Sequence, residues 1–275
     1  MPVLGLNILG DRSLPREKIL LDVAALDAKY HVVMNNPGLA DAVLATGADV
    51  IYRQWDDDHA NQREDARQFV RNRHALAPPG CLLYLGNEPD RTTLAQLNRW
   101  TTDALDECEK LGRVGVILNW ATGNPEGADW QQLRGCVEKA YAGKHLLGLH
   151  QYFGAPFDAF RTWHIGREQD VYRAFGDRTP EIVITELGYV HANADGSLDA
   201  YRGWRGDLSA DQYADDLGKA VGHYVRYGIH ACLFAVSTAN DEKWGTFVPS
   251  EAVIARMASI NKQMRLQPTS IRRGY

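Results

Sequence analysis

Cysteine is scarce in this 275-residue chain: Cys81, Cys108, Cys136 and Cys232 are the four, and no two stand at a C-x-x-C or C-x-x-x-C spacing. That excludes a disulfide scaffold and the common zinc motifs, and buried or half-buried free thiols are expected instead. An excess of positive charge is lacking too. The 30 Lys and Arg against 35 Asp and Glu give a formal net charge of −5, so no nucleic acid and no anionic membrane is expected as a partner. No run approaches the roughly 18 apolar residues that a membrane helix needs. The opening Met1-Pro2-Val3-Leu4-Gly5-Leu6-Asn7 has neither the basic stretch nor the long apolar run of a secretory signal. The chain is therefore expected to act where it is made, or to be an excised domain, and its compartment stays open. No G-x-G-x-x-G follows the first apolar run and no P-loop occurs, so neither nucleotide fingerprint is present. With 45% hydrophobic and 24% charged residues, the chain is also neither disordered nor collagen-like.

What is present is a regular alternation. Short apolar runs recur at Val3-Leu9, His31-Asn35, Asp49-Trp55, Cys81-Gly86, Arg113-Asn119, His145-Gln151, Ile182-Glu186 and Ala231-Ser237. They are apolar on both alternations, as strands covered on both faces must be. Between them lie helical stripes such as Ile19, Val23, Leu26 and Tyr30, or Tyr213, Leu217, Ala220 and Tyr224. Thr93 with Gln96 and Ser209 with Gln212 fit the capping box, and Asp129 with Gln132 is a looser version. Eight strands alternating with eight helices in this length predict an α/β fold, a closed (β/α)8 TIM barrel forming a single domain over residues 1–275. An open doubly wound sheet would have the same local periodicity. The segment from Gly188 to Asp207 is the main irregular insertion.

In such a barrel the chemistry sits at the carboxyl ends of the strands. There the sequence puts Asn7, then Asn35 and Asn36, Arg53 and Trp55, Asn87-Glu88-Pro89-Asp90, Asn119-Trp120, His150-Gln151-Tyr152, Glu186, and Ser237-Thr238-Ala239-Asn240. No strand end carries a lysine for a Schiff base. The first strand has no His-x-His for a metal-dependent amidohydrolase. Of the nine histidines, His150 alone falls at a carboxyl end, whereas His31, His145 and His230 open strands and suit structural roles. Glu88 and Glu186 each follow an apolar run, where a carboxylate is costly without partners. Strands four and seven face each other across a closed mouth, and carboxyls about 5 Å apart suit double displacement at an anomeric carbon.

Leu85-Gly86-Asn87-Glu88-Pro89-Asp90 and Ile184-Thr185-Glu186-Leu187-Gly188, with His150-Gln151-Tyr152 between, resemble the signature of the retaining glycoside hydrolases of clan A. Within that clan the wording is most similar to the compact endo-β-1,3-glucanases. The resemblance implies Glu88 as acid/base and Glu186 as nucleophile, acting on a β-linked glucan or related polysaccharide without cofactor. It also implies Asn87 on the sugar 2-hydroxyl, and Arg53 and Tyr152 as hydrogen-bond partners that keep Glu186 ionised while Glu88 stays protonated. His150 is expected in the site as a binding or wall residue. Clan members often end the eighth strand with Trp; here Phe234-Ala235-Val236-Ser237 has none, and Trp244 is expected to take that space. Trp55, Trp120, Tyr189 and Trp244 fall on the same face, where aromatic rings stack on sugars. Asp56-Asp57-Asp58-His59 reads as a solvated loop, since consecutive side chains diverge, and no metal is expected. A monomer is expected. The competing readings are a non-catalytic carbohydrate-binding barrel module of a cell-wall-targeting protein, and a barrel enzyme of unrelated chemistry.

Overall fold

The computed structural model describes residues 4–10, 14–55, 64–154, 157, 164–192, 198–199, 202–236 and 244–266. Its strands are Leu4–Leu9 (β1), Tyr30–Met34 (β2), Asp49–Arg53 (β3), Leu82–Leu85 (β4), Gly115–Trp120 (β5), Leu146–Phe153 (β6), Glu181–Tyr189 (β7), His191–Ala192 (β8), Leu198–Asp199 (β9) and His230–Val236 (β10). From β1 to β7 each strand pairs with the next in parallel, and β10 closes the ring between β7 and β1. The sheet is thus a closed eight-stranded barrel and not an open one. Helices Arg16–Leu26 (α1), Pro37–Leu44 (α2), Ala66–Leu76 (α3), Leu94–Lys110 (α4), Arg134–Ala142 (α5), Glu168–Phe175 (α6), Ala210–Val225 (α7) and Glu251–Arg265 (α8) alternate with the strands. The insertion after β7 contains the antiparallel pair β8 and β9.

Local chemistry sets several element ends. Asn36 caps α2 by accepting from Leu39 N, with Pro37 in the first turn. Ser209 and Gln212 form the expected capping box on α7. Two other expected caps differ. Thr93 precedes α4 but makes no side-chain cap; its hydroxyl donates to Asp90 O at 3.3 Å, within a 3-10 turn at Arg91–Thr93. Asp129 lies inside the 3-10 turn Gly127–Gln131, which Glu126 caps, and there Asp129 accepts from the Glu126 N–H. Asn261 ties α8 to β1 and α1. Its buried amide accepts from Leu4 N and donates to Leu4 O and Leu26 O, satisfying backbone groups at the start of β1 and the end of α1.

The packing has layers. The strands' outer faces and the helices share one large apolar core. Inside the ring a lower apolar layer holds Tyr30, Val32, Ile51, Leu82, Tyr84, Val116, Leu146, Val183 and Cys232. Above it come Asn7, Asn119 and Thr185, all fully buried, and above those the side chains of the mouth. All four cysteines are free and buried, as expected.

Candidate active site

Bulges aim the side chains of the mouth. Along β6 and β7, Leu149 pairs with Ile184 but His150 pairs with Glu186, so Thr185 is the extra residue. Strict alternation would turn Glu186 away from Thr185's side of the sheet. The bulge lets both project into the barrel. Just past β4, Gly86 takes φ +77°, a left-handed conformation that glycine adopts without strain. Glu88 follows at φ +41°, an uncommon value for a side-chain-bearing residue and one that recurs at functional sites.

These turns bring Glu88, His150 and Glu186 together. A carboxylate oxygen of each Glu and a ring nitrogen of His150 lie within 4.8 Å of one another. His150 Nδ1 stands 3.1 Å from Glu88 Oε1 and 3.5 Å from Glu186 Oε2. The two carboxyls differ in setting: the Glu88 side chain is 45% exposed and that of Glu186 is 7% exposed. Glu186 is held from two sides. Arg53 on β3 donates Nη1–H to Oε1, and the Tyr152 hydroxyl donates to Oε2 at 2.6 Å. Burial first, and then the neighbouring Glu186 charge, push the Tyr152 phenol well above its ordinary range. Tyr152 is therefore a standing donor at any working pH.

Tyr84 completes the cluster from below. Its hydroxyl donates to Asn87 Oδ1 at 2.6 Å and lies 2.9 Å from His150 Nε2. With that proton directed at Asn87, the Tyr84 oxygen accepts from Nε2–H of His150. The other ring nitrogen, Nδ1, is thereby directed at Glu88 Oε1. The Arg53 guanidinium lies 5.0 Å from the Tyr84 ring centre, a cation–π contact. Sequence reasoning missed Tyr84. The available signal was parity, since Leu82 and Tyr84 share the inward face of β4.

Glu88, His150 and Glu186 are also, among the described residues, the one group close enough to share a cation. Arg53 already neutralises Glu186, so the arrangement suits a proton better than a divalent ion. The Asp56-Asp57-Asp58-His59 run and the Ser237–Asn240 strand end lie outside the described residues.

The expected aromatic residues divide. Trp55 is 38% exposed at the end of β3, and its ring meets Trp244 edge-on at 6.5 Å. Trp244 packs in turn on Phe234 at 5.2 Å and on Phe247 at 5.7 Å, and Phe234 meets Tyr152 at 5.9 Å. This group fills the mouth beside the end of β10, where the sequence has no strand-end Trp. Trp120 is elsewhere. Ile117 pairs with Leu147 and Trp120 with Leu149, an irregularity marked by φ +70° at Leu118 and +39° at Asn119. It sends Asn119 inward and Trp120 outward into the helix-facing core at 1% exposure, so Trp120 offers no face to a ligand here. Tyr189 is likewise buried, its hydroxyl 3.1 Å from Asp207.

No protein-family model matches the sequence, and no curated protein matches it. Solved structures do. A GH128 subgroup I endo-β-1,3-glucanase from Amycolatopsis mediterranei, in complex with laminaritriose, superposes with a TM-score of 0.55 at 15% identity, over 94% of this chain and 100% of that one. A family 17 β-1,3-glucanosyltransferase from Rhizomucor miehei gives 0.57 at 13% identity, over 90% and 95%. A GH5-4 broad-specificity endoglucanase from an uncultured bacterium gives 0.58 at 13% identity, over 95% and 94%. At these identities the likeness establishes architecture: this chain has the same (β/α)8 barrel fold as these three enzymes.

Proposed function

We propose that the protein is a retaining β-glycoside hydrolase acting on a β-linked glucan. The observation that carries this reading is the pair Glu88 and Glu186, facing each other within 4.8 Å across the mouth of the barrel. Retaining hydrolysis needs carboxyls about 5 Å apart, whereas inversion needs roughly 6.5–9.5 Å to admit a water between them. The pair is also asymmetric in the way the two roles demand. Glu186, buried and held by Arg53 and Tyr152, suits a nucleophile kept charged and oriented. Glu88, more exposed and 3.1 Å from His150 Nδ1, suits a group that must hand a proton to the leaving oxygen and later take one from water.

In this reading Glu186 attacks the anomeric carbon while Glu88 protonates the departing glycosidic oxygen. Water, deprotonated by Glu88, then releases the sugar from Glu186. Asn87, oriented by Tyr84, would donate its amide to the sugar 2-hydroxyl. Trp55 and Trp244 would form an aromatic wall for neighbouring sugar rings. The β-1,3-glucan-active neighbours favour a β-1,3-linked substrate.

The two carboxylates make separable predictions on aryl β-glucosides and laminari-oligosaccharides. Glu186→Ala should abolish turnover of every substrate, because no glycosyl-enzyme can form. Glu88→Ala should lose substrates with poor leaving groups and keep part of the first step on activated aryl glycosides. Added azide, which needs no base, should then restore turnover and yield a β-glycosyl azide. Normal activity in either alanine variant would exclude the assignment.

A further inference from the structure

Beneath the carboxylates, the polar layer of the barrel does more than fill space. Asn119 is fully buried inside the ring, and its amide is engaged on both sides. Nδ2 donates to Gly86 O at 2.9 Å and to Val116 O at 3.1 Å, while Oδ1 accepts from the Thr185 hydroxyl at 3.2 Å. Its backbone carbonyl accepts from Glu88 N at 3.1 Å. Asn119 therefore binds the Gly86 carbonyl, two residues before Glu88, and the side chain of Thr185, immediately before Glu186. A second asparagine extends the layer, since Asn7 Nδ2 donates to Thr185 O at 3.0 Å.

Two features show that the surroundings are cut to fit this amide. A Cβ placed on Gly148 would sit 1.9 Å from Asn119 Oδ1, so β6 leaves the space that the side chain fills. Asn119 itself has φ +39°, a conformation that asparagine accepts more readily than most residues. The β5 irregularity that turns Trp120 out of the mouth is the same one that turns Asn119 in. His150 spans the same two elements at the level of the carboxyls, 3.1 Å from Glu88 and 3.5 Å from Glu186, and Asn119 joins them from beneath through the Gly86 carbonyl and the Thr185 hydroxyl.

We infer that Asn119 is a positioning residue that sets the separation of Glu88 and Glu186 by tying the β4 turn to the β7 bulge. The inference rests on the hydrolase reading for its kinetic consequence and on geometry alone for its structural one. Its chemical logic is that a catalytic pair must be held to about 0.5 Å, and that an error near 1 Å costs roughly 100-fold in rate.

Three variants test it. Asn119→Ala removes the tie, Thr185→Val removes one end of it at nearly constant shape, and Thr185→Ser keeps the hydroxyl. In crystal structures, Asn119→Ala should change the Glu88–Glu186 separation by about 0.5 Å or more. In kinetics, kcat should fall roughly 10- to 100-fold with KM changed by less than about threefold, because the tie acts on the reacting geometry and not on glucan contacts. Thr185→Val should lose kcat in the same way, and Thr185→Ser should recover most of it. The double variant Asn119→Ala/Thr185→Val should be no worse than Asn119→Ala alone. An unchanged carboxyl separation in the variant crystals, or additive losses in the double variant, would overturn the inference. If instead Glu88→Ala and Glu186→Ala both remain active, the hydrolase reading falls, and the crystal separations still judge Asn119.

Discussion

At the scale of single residues, the mouth works through donors held ready. Tyr152 is the clearest, since burial and the Glu186 charge keep its phenol protonated and its hydroxyl bonded to Oε2. Tyr152→Phe removes that bond while leaving the ring, which still packs against Phe234 and Phe247. Steady-state kinetics should then show kcat lowered roughly 10- to 100-fold, the size of one charge-assisted bond of about 1.5–3 kcal/mol. A variant with full kcat would remove Tyr152 from the machinery. Much at this scale was readable in advance. Glu88, Glu186, Arg53, Asn87, His150 and Tyr152 stand at strand ends in the sequence, and the structure brings all of them into one cluster. Tyr84 was not read, because its role depends on which face of β4 it occupies and on a histidine two strands away.

Elements explain the remaining misreadings. Strand positions follow from runs apolar on both faces, so all eight barrel strands match the sequence expectation to within a few residues. Side-chain direction does not follow, because a single extra residue inverts the alternation downstream of it. That is why Trp120, expected on the mouth from its place at the end of β5, packs among the helices instead. Strand starts carry their own device. His31 on β2 accepts Leu6 N–H of β1 at 3.1 Å, and His145, just before β6, accepts Gly115 N–H of β5 at 3.0 Å. Each ring must stay neutral to accept, and burial lowers the affinity of both for a proton, with Glu109 partly opposing this at His145. For His31 the value falls from the ordinary 6.5 to about 4. The unfolded chain therefore takes up this proton first, so stability is complete above pH 6.5 and declines as pH falls toward 4. The loss is on the order of 3 kcal/mol for this one group. Thermal midpoints compared at pH 7 and pH 4.5 should drop less in His31→Gln than in the unmodified protein. An equal drop would show that another group governs the acid limb.

For the whole molecule, closure is what the sequence left open. Periodicity alone fits an open sheet, and the deciding contacts join residues far apart in the chain: β1 against β10, and Asn261 against Leu4. Closure also distributes the four thiols among separate sectors. Cys232 lies inside the ring, Cys81 sits just ahead of β4, and Cys108 and Cys136 face the wall from α4 and α5. Burial pushes each thiol up to about 12. A disulfide reagent at pH 8 thus meets neither accessible sulfur nor appreciable thiolate, and it can react only when a sector opens. Labelling rates of single-cysteine variants should accordingly act as four clocks on one barrel. Cys232, which is exposed only when the ring itself parts, should run slowest, and a Cys232 that reacts as fast as Cys81 would mean that the ring breathes as readily as its rim.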